Sequence, residues 1–147
     1  MSVAYDGRTI ADDMVDMCAG IVDKDTAVKA VRAACRYFGG ALVYIPAVKT
    51  TGSFMEEIHG VLCDAVGDRD GDLILMKLIA LYGGLQLYMP MEKNAFRKEI
   101  AQEIFDRYAS GKDKIRDLCR DYAMSFVQVY RLWYEGRKLH STQGVLQ

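Results

Sequence analysis

Apolar residues recur with the helical period along most of the chain. Residues 26–37 and 72–82 are rich in apolar side chains and contain no glycine or proline, which predicts two helices. The second stretch is apolar almost all round, as expected of a buried helix. Farther along, Phe96, Ile100, Ile104 and Tyr108 follow one another at steps of four and form one apolar helix face. The pattern therefore predicts a mainly α-helical protein.

The helical period is interrupted twice by a similar nine-residue pattern, at positions 44 residues apart. Phe-Gly-Gly-Ala-Leu-Val-Tyr-Ile-Pro occupies residues 38–46, and Tyr-Gly-Gly-Leu-Gln-Leu-Tyr-Met-Pro occupies residues 82–90. An Asp-basic-Asp triplet precedes each block, and a Phe-x-x-Glu-Ile sequence follows each. Matches in the same order predict an internal duplication, with copies at about residues 23–66 and 68–108.

Each copy of the repeat reads as helix, strand, helix. The glycine pairs can adopt the positive φ that ends a helix, the residues after them favour a strand, and the prolines end the strand because they lack an N–H donor. Strands this short cannot satisfy their own edges, so they are expected to pair with each other or with a second chain. We favour a two-stranded antiparallel ribbon covered by helices; two unrelated strand-like loops are the alternative. The candidate strand and dimerisation residues are Gly39, Gly40, Tyr44, Pro46, Gly83, Gly84, Tyr88 and Pro90.

The pattern changes after Gly111. Residues 112–123 predict a short helix whose inward face includes Leu118 and Cys119. Ser125-x-x-Gln128 is a capping box that predicts the start of a second helix over residues 126–138, with Val129, Leu132 and Trp133 packed back on the first. Two short helices joined by a tight turn form a helix-turn-helix, whose second helix enters the DNA major groove. Helix pairs with this pattern also occur in bundles that do not bind DNA.

The exposed positions of this helix pair carry side chains suited to DNA. Arg131 can bond to a guanine edge or to a phosphate, and Phe126 or Val127 can contact a thymine methyl group. Gln128 can read adenine unless it closes the capping box, which is the favoured interpretation. The candidate DNA-binding residues are Arg116, Arg120, Ser125, Phe126, Val127, Gln128, Tyr130, Arg131, Tyr134, Arg137 and Lys138.

The net charge of −1 conceals an asymmetry along the chain. Residues 1–90 carry 8 Lys and Arg against 12 Asp and Glu, a net −4, whereas residues 91–147 carry 11 against 8, a net +3. The basic surplus therefore falls in the part of the chain that contains the predicted helix-turn-helix, which favours phosphate contact there.

Other classes of function find little support in the sequence. The four cysteines are widely spaced without a CxxC pair and only two histidines are present, so neither a metal site nor a cofactor is expected. A dinucleotide fingerprint, a P-loop and a nucleophile–base pair are missing, and the chain is not expected to be an enzyme. With no apolar run near the ~20 residues of a membrane span and no signal-peptide pattern, a cytoplasmic protein is expected.

One family shares the motifs of the C-terminal half. Gly83-Gly84-Leu-Gln-Leu-Tyr88-Met-Pro90, then Arg97, Ile100 and Phe105, then the Leu118, Tyr122, Ser125 and Val129-Tyr130-Arg131 pattern follow in order. Over about residues 72–135 the sequence resembles the Mor (middle operon regulator) transcription activators of Mu-like phages. The resemblance implies a sequence-specific DNA-binding activator, dimeric through its N-terminal region, that recruits host RNA polymerase to a phage or prophage promoter.

The chain departs from the family pattern in having two glycine-glycine strands where the pattern has one. The duplication could build within one chain, as a pseudo-dimer, the ribbon that a homodimer would build between chains. The expected fold is thus mainly α with a short two-stranded antiparallel β-ribbon. A duplicated helix-strand-helix unit over residues 1–110 serves as dimerisation or core domain, and a helix-turn-helix DNA-binding domain occupies residues 111–147. The alternative function is a protein-interaction module, an antirepressor or assembly factor, that uses the helix pair for packing only.

Overall fold

The computed structural model describes residues 8–49 and 52–146, apart from the side chains of Ser53 and residues 143–146. Within these ranges it is mainly helical with one small antiparallel sheet, as the sequence predicts. In chain order the elements are α1 (Ile10–Cys18), α2 (Lys24–Phe38), β1 (Leu42–Tyr44), α3 (Ser53–Val66), α4 (Asp68–Tyr82), β2 (Gln86–Tyr88), α5 (Glu92–Ala95), α6 (Arg97–Ala109), α7 (Ile115–Tyr122) and α8 (Phe126–Leu146).

The chain folds into two compact units that meet in sequence between Ala95 and Phe96. The first contains α1 to α5 and both strands, and the second contains α6, α7 and α8. The sequence suggests a division after residue 110, between a core domain and a DNA-binding domain. That division is based on proposed roles and not on contacts, and it stays a prediction.

The core of the first unit is formed by the apolar faces of its long helices. Val31 and Ala34 of α2, Leu62 of α3, and Ile74 and Leu75 of α4 are all at most 4% exposed. The start of α2 is capped by a side chain, since Asp23 accepts a hydrogen bond from the Thr26 amide at 2.8 Å. Burial of these helix faces is the main source of stability for such a unit.

The ribbon of the first unit pairs β1 with β2 within one chain, in the register Leu42↔Tyr88, Val43↔Leu87 and Tyr44↔Gln86. Val43 and Leu87 point into the core, while the side chains of the other four residues are exposed. The sequence leaves open whether the two strands pair with each other or with a second chain, and in this structure they pair with each other. In this register the fifth residue of each nine-residue block pairs with the seventh residue of the other. The sixth residues, Val43 and Leu87, therefore face each other at the centre.

In each glycine pair at the ribbon, one glycine allows a positive φ and the other allows a close backbone approach. The second glycine of each pair, Gly40 and Gly84, has a φ of 85°, which a residue with a side chain adopts only at a cost. The first glycine of each pair makes room, since a Cβ on Gly39 would lie 2.9 Å from Met91 Cα and one on Gly83 would lie 3.0 Å from Ala47 Cα. Positions 39, 40, 83 and 84 therefore need glycine for backbone reasons.

The second unit is held together by one apolar cluster. Its buried members are Ile100, Ala101, Ile104, Leu118, Met124, Val129 and Leu132. Helix α8 crosses α6 closely at Gly136, where a Cβ would lie 2.2 Å from the Ala101 carbonyl oxygen. The helix continues to Leu146 rather than ending near residue 138 as expected, because no proline follows and Gly136 packs on α6 instead of ending the helix.

Among the described residues, no helix combines the length and the apolar character needed to cross a bilayer.

Candidate nucleic-acid interface

The turn between α7 and α8 is tight and has defined hydrogen bonds. Ala123 ends α7 with φ 52° and ψ 49°, the left-handed conformation for which glycine is preferred. The Met124 amide donates to the Cys119 carbonyl at 3.0 Å, and the Met124 side chain is buried in the cluster below. The chain thus reverses over residues 123–125.

The capping box predicted at the start of α8 is present. The Ser125 amide donates to Gln128 Oε1 at 3.1 Å, and the Gln128 amide donates to Ser125 Oγ at 3.2 Å. The Gln128 side chain is therefore engaged in holding the helix end, as the sequence favours, rather than available to read a base.

The inner face of the helix pair is fixed by packing. Val129 and Leu118 are fully buried, and Leu132 is 3% exposed. Cys119, the small residue expected where the helices cross, is partly buried against the same cluster. Since both helices are anchored to α6 through this cluster, the outer face of α8 is presented on a rigid support.

The outer face of α8 carries an exposed and largely aromatic surface. Phe126, Val127, Tyr130 and Tyr134 are each about half exposed or more, at 49% to 59%. Together with Arg131 and Trp133 they line a shallow open depression. The rings contact one another, with the centroids of Phe126 and Tyr130 5.2 Å apart. The sequence pattern misses the role of Trp133 here, because it assigns this residue to packing on α7 alone.

The basic side chains of α7 and α8 differ in whether they form ion pairs or contact aromatic rings. Among the described residues, Arg116 and Arg131 are exposed and form no ion pair, so their guanidinium groups are available to an anion. Arg137 lies over the Trp133 ring at 5.7 Å, and Lys138 lies over the Tyr134 ring at 4.6 Å. By contrast, Arg120 pairs with Asp121 at 3.1 Å and with Asp117 at 3.7 Å, which reduces its value as a phosphate contact.

An arginine outside the predicted set ties α6 to the loop before α7 and to the last turn of α7. Arg107 of α6 donates two hydrogen bonds to Asp113, both at 3.0 Å, and one to Asp121 at 2.7 Å. These bonds hold the pKa values of Asp113 and Asp121 below the ordinary range. Neighbouring positions in sequence give no sign of this contact, since it joins three separate segments.

The second group of predicted residues lies in the first unit. Tyr44 and Tyr88 are exposed on the outward face of the ribbon, and Pro46 and Pro90 follow the last paired residues. A separate group, unforeseen in the sequence, brings His59, Cys63 and Asp72 together on α3 and α4.

Comparison with known proteins gives one match. The family model described as the Mor transcription activator family matches residues 48–145, two thirds of the chain. The matched region begins after β1 and includes α3 to α7, β2 and nearly all of α8. No curated protein and no solved structure matches the chain.

Proposed function

This chain belongs to the Mor transcription activator family, and we propose that it binds double-stranded DNA sequence-specifically through α7 and α8. The observation that carries the proposal is Arg131, an exposed guanidinium with no ion pair among the described residues, in the middle of an outer face that the capping box and the core cluster hold in place. A helix presented in this way is what major-groove recognition requires.

The residues divide by position into base contacts and phosphate contacts. Phe126 and Val127 in the first turn of α8 are apolar and exposed, which suits thymine methyl groups. Arg131, one turn later, suits the O6 and N7 atoms of guanine. Phosphate contacts fall to the basic side chains of Arg116, Arg137 and Lys138 and to the hydroxyl groups of Tyr130 and Tyr134.

Activation through recruitment of RNA polymerase to a phage or prophage promoter completes the proposal. Family membership supports this step. The regulator would act in the cytoplasm, where its promoter lies.

A gel-shift series on promoter fragments at several salt concentrations tests DNA binding. We expect one preferred fragment, with an affinity that falls linearly on a logarithmic salt scale. Arg131→Ala should weaken binding to that fragment by ~10-fold or more and relax its sequence preference. Arg69→Ala is the matched control, because Arg69 is also exposed and forms no ion pair among the described residues, but lies on α4 in the other unit.

The exposed aromatic surface on α8 also suits the alternative function, a protein-interaction module. Large exposed apolar patches are typical of surfaces that bind other proteins. The same gel-shift series separates the two functions. Equal affinity for preferred and random fragments at every salt concentration would contradict the DNA-binding proposal and favour the interaction module.

A further inference from the structure

Three side chains with metal-binding atoms converge on one side of the first unit. His59 and Cys63 are four residues apart on α3 and therefore share a face, and Asp72 lies opposite them in α4. His59 Nε2 is 2.5 Å from Asp72 Oδ1 and 3.3 Å from Cys63 Sγ. All three ligand atoms lie within 4.8 Å of one another.

The same nitrogen of His59 makes both of these contacts. In a Cys–His–Asp catalytic relay the imidazole uses one ring nitrogen for the nucleophile and the other for the carboxylate. A single Nε2 carries either one hydrogen or one lone pair, so it cannot serve both neighbours as a relay would. The three side chains instead bring a sulfur, a nitrogen and an oxygen atom within 4.8 Å of one another, close enough for one cation to bind all three.

The backbone lets the two helices approach at this point. A Cβ on Gly71 would lie 2.6 Å from Cys63 Sγ and 2.9 Å from Cys63 Cα. Glycine at this position therefore allows the first turn of α4 to pass against Cys63, which places the next residue, Asp72, beside His59. Sequence spacing does not reveal the cluster, because its third member comes from a different helix.

The charges around the cluster suit a divalent cation. On a bound ion, Cys63 as thiolate and Asp72 as carboxylate together balance a charge of +2. Without the ion, burial and the nearby carboxylates raise the pKa of the Cys63 thiol, so metal binding must displace its proton. One cation competes for the same place, since Lys49 Nζ lies 3.6 Å from Asp72 Oδ1. The side chains of His59 and Asp72 are 38% and 50% exposed, so an ion can enter from solvent.

We propose that His59, Cys63 and Asp72 bind one zinc ion, which ties α3 to α4. Mixed sulfur, imidazole and carboxylate ligands suit zinc, and a water molecule completes the four-coordinate shell. Zinc at ~2.0–2.3 Å from each ligand needs ligand atoms a little more than 3 Å apart, so small side-chain rotations adapt the cluster. The site lies in the unit that does not contain α7 and α8, and it does not rest on the proposed function.

Cobalt is the probe of choice, because a cobalt ion bound to a thiolate gives a charge-transfer band in the near ultraviolet. The test titrates the reduced, untagged full chain with Co²⁺ and then with Zn²⁺, and follows the band by absorption. Calorimetry of the zinc displacement gives the zinc affinity. We expect one equivalent of cobalt to produce the band and one equivalent of zinc to remove it. Absence of the band in the unsubstituted chain would overturn the proposal.

Two cysteine variants locate the thiolate. Cys63→Ser should lose the band, whereas Cys119→Ser should keep it, because Cys119 is a partly buried cysteine in the other unit. Circular dichroism checks that both variants are folded. A band of equal strength in Cys63→Ser would overturn the proposed ligand set.

Substitutions at Lys49 and Asp72 test the oxygen ligand. Lys49→Ala removes the positive charge that competes at Asp72, so zinc should bind several-fold more tightly. Asp72→Asn should weaken binding by ~10-fold or more. Unchanged zinc affinity in both variants would contradict binding at Asp72.

Discussion

At the scale of single residues, the backbone determines which residue type suits two positions of the second unit. Ala123 adopts a left-handed conformation that suits glycine, while Gly136 occupies a crossing where no side chain fits. One position therefore has a side chain that the backbone disfavours, and the other lacks one because the packing forbids it. Substitutions at the two sites should change stability in opposite directions.

Ala123→Gly is expected to stabilise the chain. The left-handed conformation costs a residue with a Cβ roughly 1–2 kcal/mol, and glycine removes this cost while adding about 0.4–1 kcal/mol of unfolded-state entropy. The free energy of unfolding should rise by about 0.5–1 kcal/mol in a denaturant titration. Ala80→Gly, at an exposed position inside α4, is the control and should lose about 1 kcal/mol. A loss at both positions would contradict the left-handed turn.

Gly136→Ala is expected to destabilise the chain, because the new Cβ would lie 2.2 Å from the Ala101 carbonyl oxygen. Separating α8 from α6 to relieve this clash should cost about 1–3 kcal/mol. Gly60→Ala is the control: Gly60 lies within α3 and a Cβ there meets nothing within 4 Å. That variant should gain about 0.5–1 kcal/mol from helix propensity. Thermal or denaturant unfolding that ranks the two variants in the opposite order would refute the close crossing.

At the scale of elements, the sequence predicts the parts whose cause is local. The period of four from Phe96 gives α6, the glycine pairs and prolines give the two strands, and the Ser125–Gln128 box gives the start of α8. Contacts between side chains of different helices are missed, such as Arg107 with Asp121 and the His59–Asp72 pair. Helix α1 is missed as well, although Thr9 and Asp12 form a reciprocal cap at its start.

The Arg107 contacts predict how the second unit responds to acid. Because Asp113 and Asp121 have lowered pKa values in the folded chain, their charged forms stabilise it. The stabilisation is complete above the unfolded value of about 3.9 and is lost as the pH falls through the lower folded values. Arg107→Gln should therefore be less stable than the unsubstituted chain at neutral pH, and the difference should shrink below about pH 3.

Unfolding of the Arg107→Gln and unsubstituted chains at a series of pH values checks this expectation. Arg69→Gln serves as control, since Arg69 forms no ion pair among the described residues and its loss should leave the pH profile unchanged. A stability difference for Arg107→Gln that stays constant from neutral to acid pH would show that its ion pairs contribute nothing measurable.

At the scale of the whole molecule, the pairing of the ribbon determines how many α7–α8 pairs act together. The family match begins at residue 48, after the first strand, so the segment that supplies the partner for β2 lies outside it. The register exchanges corresponding positions of the two blocks, as two copies related by a twofold axis would do. We infer that residues 8–47 take the place of a second subunit at the ribbon and leave one α7–α8 pair per chain.

A paired cysteine variant tests this inference directly. Leu42 and Tyr88 are opposite each other in the register, so Leu42→Cys combined with Tyr88→Cys should form a disulfide within one chain on mild oxidation. The background needs Cys63→Ser and Cys119→Ser, because those two native thiols are only partly buried. On a non-reducing gel the product should migrate as a monomer of 16.5 kDa, and Leu42→Cys alone should stay reduced. A covalent dimer formed through residues 42 and 88 would mean that the strands pair between chains, which would return two α7–α8 pairs to each complex and favour a palindromic site on DNA.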